Sequence, residues 1–306
     1  MESRRNIFST KKGMILIASF CALLWGSAFP VLKTSYIWLH LEKENIIGKI
    51  YFAGLRFFIA SLILFIFLNY IRKSDVKISK KQFYKLGMLG IIQTALQYFF
   101  FYVGLANTTG IKGAVLASSS TFFVIIFAHF YEHNDSLSWN KIIGLVLGFA
   151  GILAINIESG FGDLSFNILG EGFLIMSGIV GATGTILAKK MSVKINPFTL
   201  TAWQMIIGSS ILLTIGIIGG GYKGLVFSSS VIALLIYASF LSAIAFALWY
   251  SLLKYNKASQ VSMYKFLIPI FGTFLSILFI PSETYSNNII IALILVSIGV
   301  VTVNRK

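Results

Sequence analysis

Charge is what this sequence has least of. Only 11% of its 306 residues are Asp, Glu, Lys or Arg, and mean hydropathy is +0.86, where a soluble domain carries about 25% charged residues. That deficit excludes a water-facing globular surface. Acidic residues are scarcest, ten against 25 Lys and Arg. The +15 balance does not read as a nucleic-acid footprint, because the basic residues stand at the ends of apolar runs, where they set membrane orientation. The single cysteine, Cys21, lies inside an apolar run, so a disulfide framework or thiolate metal set is excluded, and it reads as a small packed residue. His40, His129 and His133 are isolated. Neither H-E-x-x-H nor G-x-x-x-x-G-K-[ST] occurs, so zinc proteolysis and ATP hydrolysis lack their groups. No metal and no cofactor is expected. Gly160-Phe161-Gly162-Asp163 spells the GxGD string of intramembrane aspartyl proteases, but Asp163 falls in a loop and no apolar run contains another Asp. No loop is long enough to fold as a catalytic domain.

What the chain does have is apolar runs of membrane-spanning length, about 20 residues for about 30 Å of hydrocarbon. Ten are expected: Met14–Leu32, Tyr51–Ile71, Tyr84–Leu105, Gly113–Tyr131, Lys141–Ile157, Leu169–Ala188, Thr199–Ile218, Val231–Leu253, Ser259–Ile280 and Ile289–Val303. Arg4, Arg5, Lys11 and Lys12 before the first run resemble a signal peptide, but the run is long for one and more follow, so it reads as an uncleaved span. The fold class expected is an all-α polytopic membrane protein, because lipid-exposed backbone must satisfy its own hydrogen bonds. Of the 25 Lys and Arg, eighteen fall on one side of this layout, five on the other, and Arg56 and Lys265 inside spans. The bias puts both termini in the cytoplasm, in a multi-pass protein of the bacterial cytoplasmic membrane.

The halves repeat each other. Leu55-Arg56-Phe57-Phe58-Ile59-Ala60-Ser61 stands 148 residues before Trp203-Gln204-Met205-Ile206-Ile207-Gly208-Ser209, and the same offset carries Phe101-Tyr102-Val103-Gly104-Leu105 to Trp249-Tyr250-Ser251-Leu252-Leu253 and Gly151 to Gly299. Gly26 aligns with Gly181 at the larger offset of 155. Two repeats are therefore expected, 14–157 and 169–303, with five spans each. Five is odd, so the second repeat enters from the opposite side and the pair is inverted. Inverted pairs hold a substrate near the midplane and expose it alternately to the two sides.

The pattern resembles the drug/metabolite transporter superfamily in its two-repeat EamA-type branch. The resemblance is carried by Leu24-Trp25-Gly26-Ser27-Ala28-Phe29-Pro30, Leu55-Arg56-Phe57, Asp135-Ser136-Leu137-Ser138 before Gly144 and Gly151, and Ile268-Pro269-Ile270-Phe271-Gly272 before Glu283. It covers nearly the whole chain, through the order and spacing of the motifs. Asp135 departs from the family's usual Glu, and Thr121 stands where the second repeat has Pro269. The resemblance implies a secondary transporter exporting or exchanging a small polar metabolite, an amino acid or organic anion. A non-transporting receptor or assembly factor is the competing class, and a polar midplane cavity discriminates, since a scaffold needs none. The partners implied are a small-molecule substrate and the bilayer, with no nucleic acid, in a monomer or homodimer. No Asp or Glu lies deep in a span, which leaves proton coupling through a buried carboxylate unsupported.

Lys265 is the sharpest site candidate. A charge two turns into a span is costly and faces a cavity or partner, unless the side chain snorkels to the surface. Arg56 either meets substrate or serves the structure, capping a helix end or pairing with Glu171. Gln93 and Gln97, four apart, share a face and with Tyr98 suggest a cavity wall, although interhelical hydrogen bonding also explains such residues. Tyr264, Trp25, Ser119 and Trp203 complete the candidate substrate contacts. Pro30 and Pro269 each free a carbonyl and offer a hinge. Gly144, Gly148 and Gly151 form a stripe that reads as helix packing.

Overall fold

The computed structural model describes residues 6–42, 44–71, 76–108, 113, 116–156, 166–280 and 288–304. Its described elements are all helical: α1 (Lys11–Trp38), α2 (Ile46–Ile71), α3 (Lys80–Ala106), α4 (Ser119–Tyr131), α5 (Trp139–Asn156), α6 (Ile168–Ser192), α7 (Pro197–Ile218), α8 (Ser229–Tyr255), α9 (Ala258–Phe279) and α10 (Asn288–Val303). Seven of them, α1 to α3 and α6 to α9, are long and apolar enough to cross a membrane, and α4, α5 and α10 are shorter apolar helices. Glu283, Asp163, Arg4, Arg5 and the expected beginning of the fourth span lie largely outside the described residues.

Local chemistry explains where these helices start. Thr10 Oγ1 accepts from Gly13 N at 3.0 Å, and Ser79 forms a capping box with Gln82, each satisfying orphan amides of a first turn. Asn196 caps α7 ahead of Pro197, whose missing N–H goes unneeded there. Past the end of α7, Gly220 adopts φ +72°, and Gly221 N donates to Gly216 O at 2.7 Å, the left-handed stop that glycine allows. The first helix is longer than its apolar run at both ends. The Thr10 cap starts it early, and Pro30 leaves it unbroken through Trp38.

Small residues set the helix crossings, as expected where lipid supplies no hydrophobic drive between helices. In α5 and α10, Gly144 lies against Gly299 and Val303, and Gly151 against Val296 and Ala292. Partners that descend along α10 as α5 ascends make the pair antiparallel. Antiparallel packing recurs in α2 and α7, where Gly54 lies on Leu213 and Gly216 on Tyr51. Gly26 of α1 meets Phe271 and Gly272 of α9, and Gly272 meets Phe29 in return, all within four residues of Pro30 or Pro269.

The glycine stripe of α5 also holds α9. A Cβ on Gly148 would come within 2.6 Å of Phe266 Cε2, and one on Gly144 within 3.2 Å of Met263 Cε. Gly148→Leu is expected to cost about 1–3 kcal/mol by overpacking, read as a lower melting temperature of the purified protein. Gly87, which has nothing within 4 Å of an added Cβ, serves as control: Gly87→Ala should melt no lower than wild type. Equal melting of the Gly148 variant and wild type would remove this role from the stripe.

Candidate functional site

Pro269 sets the local geometry. It has no N–H for the carbonyl four residues back, which belongs to Lys265. The turn from Met263 to Phe266 accordingly tightens to 3-10 between two α segments. Its side chains divide among three surroundings. Phe266 wedges against Gly148. Tyr264 lines a groove of about 380 Å³ with Lys11, Ser19 and Asn304, between α1, α9 and α10 at the end of the bundle where both termini lie. Lys265 points to α8, its Nζ 5.7 Å from the ring centroid of Trp249.

Trp249 opens an aromatic layer through the bundle. Trp25 of α1 packs edge-on against Trp249 at 5.0 Å and Phe246 at 5.3 Å. Phe246 meets Phe57 of α2 at 6.3 Å, and Phe57 lies 4.5 Å from Tyr98 of α3. Arg56 closes the far side, its Cζ 4.3 Å from the Phe57 centroid and 5.8 Å from that of Tyr98. Such ring pairs hold one another at fixed angles, so the layer is a rigid wall. Trp25, Tyr98 and Lys265 stay half-buried although they face neighbouring helices. Trp249 Nε1, Tyr250 Oη and Arg56 Nε are buried without a hydrogen-bond partner. Buried polar atoms are normally paired, and three of those left unpaired among the described residues belong to this layer. Among the described residues the ion pairs are Lys141–Asp135 and Lys189–Glu132, so Lys265 has no carboxylate at pairing distance.

The other candidates separate. Gln93 sits where α3 widens into a π turn over Ile91–Leu96, a feature common at functional sites. It donates to Gln97, and the pair packs over Gly184 and Gly181 of α6. Gln97 thus lies one residue from Tyr98 but faces α6. Ser119 lies over Gly178 where α4 meets α6, its Oγ unpartnered. Trp203 is remote from the layer: its Nε1 donates to Val76 O at 3.0 Å and its ring packs on Phe65 and Phe83. Arg56 and Glu171 do not pair with each other. Glu171 accepts from Thr108 Oγ1 and Asn167 N, both at 2.7 Å, while Arg56 stacks on rings.

Sequence reasoning passed over Trp249, Phe246 and Phe57 as site residues, though Trp249 stood in the quoted repeat. It also passed over a buried polar lock. Asp135, 1% exposed, accepts Lys141 Nζ at 2.6 Å, Ser259 N at 2.9 Å and the Ser259 hydroxyl. One carboxylate thereby joins the α4–α5 loop to the first turn of α9. Beside it Lys189 bonds Glu132 at 2.6 Å and Asn256 O at 2.8 Å, and Asn256 Nδ2 donates to Phe8 O. This network closes the end of the bundle below Lys265.

The chain is similar to known proteins in sequence and in fold. The EamA-like transporter family profile matches residues 12–157 and again 168–305. An uncharacterized transporter of Archaeoglobus fulgidus is 27% identical, covering 84% of this chain and 85% of its own. The uncharacterized transporter YvbV of Bacillus subtilis is also 27% identical, over 95% and 91%. A chloroplastic WAT1-related protein of Arabidopsis thaliana is 26% identical over 89% of this chain and 64% of its own. A solved crystal structure superposes with a TM-score of 0.75 over 96% of this chain and 98% of its own, at 14% identity, which shows a common fold.

Proposed function

This chain belongs to the EamA-like transporter family, and from that premise we propose that it carries a small organic anion or amino acid across the membrane by alternating access. Its two halves, 14–157 and 169–303, act as inverted five-span repeats around the aromatic layer. The observation that carries the proposal is Lys265: an ammonium two turns into a span, with no carboxylate at pairing distance among the described residues, against Trp249 and beside orphaned polar atoms. A charge so placed is retained for function far more often than for stability.

Reciprocal contacts support the inverted reading. At an offset of 148, Gly144 corresponds to Ala292 and Gly151 to Gly299. Gly144 lies on Gly299, and Gly151 lies on Ala292. Each partner of the pair is the counterpart of the other's partner, as a two-fold axis across antiparallel helices requires. The crossing of α1 with α9 corresponds likewise to that of α6 with α4, both built on a glycine. The family profile's double match points the same way.

The termini are proposed to lie in the cytoplasm, on the basic bias. Lys81, exposed in the first turn of α3, checks this: Lys81→Cys should resist membrane-impermeant maleimide in intact cells and react after permeabilisation. Ready labelling from outside would reverse the topology. The transport proposal is tested with the purified protein in proteoliposomes, by counterflow of labelled amino acids and organic anions. Saturable uptake of at least one is expected, and its absence across both classes would overturn the proposal.

A further inference from the structure

We infer that Arg56 is a second anion-binding group on the same layer, and that the substrate class is an organic dianion with an apolar middle, of the α,ω-dicarboxylate kind. The inference rests on the transport reading above and narrows it.

Arg56 is 4% exposed, ten residues inside α2 and bounded by the rings of Phe57 and Tyr98. Its Nε has no partner. A buried guanidinium is stabilised only modestly by ring faces, while removing it from water is far costlier. Among the described residues no carboxylate pairs with it. The five helices that build the layer, α1, α2, α3, α8 and α9, contain no Asp or Glu at all. Glu171 is committed elsewhere, to Thr108 and Asn167. Lys265, half-buried, stands at the other edge of the same layer, also with no carboxylate at pairing distance among the described residues. Two cations on one apolar wall repel each other and leave a local charge of two. A monoanion neutralises one of them, and a dianion neutralises both.

Geometry sets the guest's proportions. Phe246 touches Phe57, next to Arg56, and Trp249 touches Lys265. Phe246 and Trp249 are three residues apart on α8, about 4.5 Å of helix rise. The two cations therefore stand at opposite edges of the layer, and a guest that meets both spans the rings between them. Arg56 offers Nε and a terminal nitrogen as a planar fork for a carboxylate. Lys265, with the unpartnered Trp249 Nε1, meets the second acidic group as a point charge with a hydrogen-bond donor. The ring faces of Trp25, Phe57 and Phe246 cover the carbons between.

The full-length protein in detergent is titrated with succinate, glutarate and adipate, and with butyrate, pentanoate and hexanoate as chain-matched monocarboxylates. Binding is read by thermal shift and by competition with whichever labelled solute the proteoliposomes accumulate. At least one dicarboxylate is expected to bind tenfold or more tightly than its monocarboxylate match. Arg56→Gln should bring that dicarboxylate down to the level of the monocarboxylate, and Arg56→Lys, which keeps the charge and guards against a folding failure, should fall between. Monocarboxylates binding as tightly as dicarboxylates in the wild type, or Arg56→Lys and Arg56→Gln both keeping wild-type dicarboxylate affinity, would overturn the inference. A response to zwitterionic amino acids alone would sink the dianion and leave the transport reading standing. Failure of every solute, in binding and in uptake, would take the transport reading down as well.

Discussion

Replacing Lys265 by methionine is expected to lower transport tenfold or more, while the protein still inserts, purifies as a monodisperse species and melts near the wild-type temperature. Methionine keeps the stem that packs by Trp249 and removes only the ammonium. A tenfold loss corresponds to about 1.4 kcal/mol, modest for a charged hydrogen bond in a site shielded from water. Lys265→Arg should retain part of the rate, since the charge stays but the fork differs in shape from the point charge. The measurement is initial uptake into proteoliposomes at several substrate concentrations. Wild-type rate and apparent affinity in the methionine variant would reduce Lys265 to a snorkelling side chain and remove it from the site. The groove that holds Tyr264 does not contain Lys265, so blocking that groove is not a substitute for this experiment.

The second large effect is expected at Asp135. Asp135→Ala deletes the acceptor shared by Lys141, Ser259 N and the Ser259 hydroxyl, and leaves a 6% exposed Lys141 without its carboxylate. Removing one partner of a buried pair costs about 3–5 kcal/mol, mostly from the stranded charge, whereas replacing both by apolar groups costs much less. Asp135→Ala should therefore melt well below wild type, and Asp135→Ala with Lys141→Met should recover a clear part of the loss. The sign of that coupling is the diagnostic result. Should the double variant melt no higher than the single, the stranded-charge account is wrong. Asp135→Glu, the residue usual in the family, tests the fit from the other side. One extra methylene must be housed between the loop and the first turn of α9.

Much of this was legible in the chain alone, for particular reasons. The helices were legible because lipid forces every span to satisfy its own backbone, so apolar length translates directly into helix. Lys265 stood out because an intramembrane charge is rare at any depth. The glycine stripe of α5 was legible as packing because small residues at i, i+4 and i+7 make one smooth face. Its second partner, the Lys265 turn, was not, since nothing in the spacing of glycines names the ring that fills it. The company of Arg56 was not legible in the chain. Span order allows it Glu171, a helix end or a substrate, and the rotation of α2 turns its guanidinium onto Phe57 and Tyr98. Trp203 and Trp249 both belong to the second repeat, as counterparts of Leu55 and Phe101 at the 148 offset. One braces a loop backbone and the other faces a cation, a difference set by which side of each helix is turned inward.

The sequence by itself determined that this is a multi-pass helical membrane protein of a transporter family, with a repeat and two costly internal cations. Those properties depend on composition, run length and order, which are local or additive along the chain. The tertiary structure alone decided which of the polar and aromatic residues meet. Arg56, Phe57, Tyr98, Trp25, Phe246, Trp249 and Lys265 come from five helices scattered between positions 25 and 265. They meet because glycine-lined crossings fix the rotation and depth of each helix to within a side chain's reach. That rotation is a collective result of packing, and no single segment encodes it.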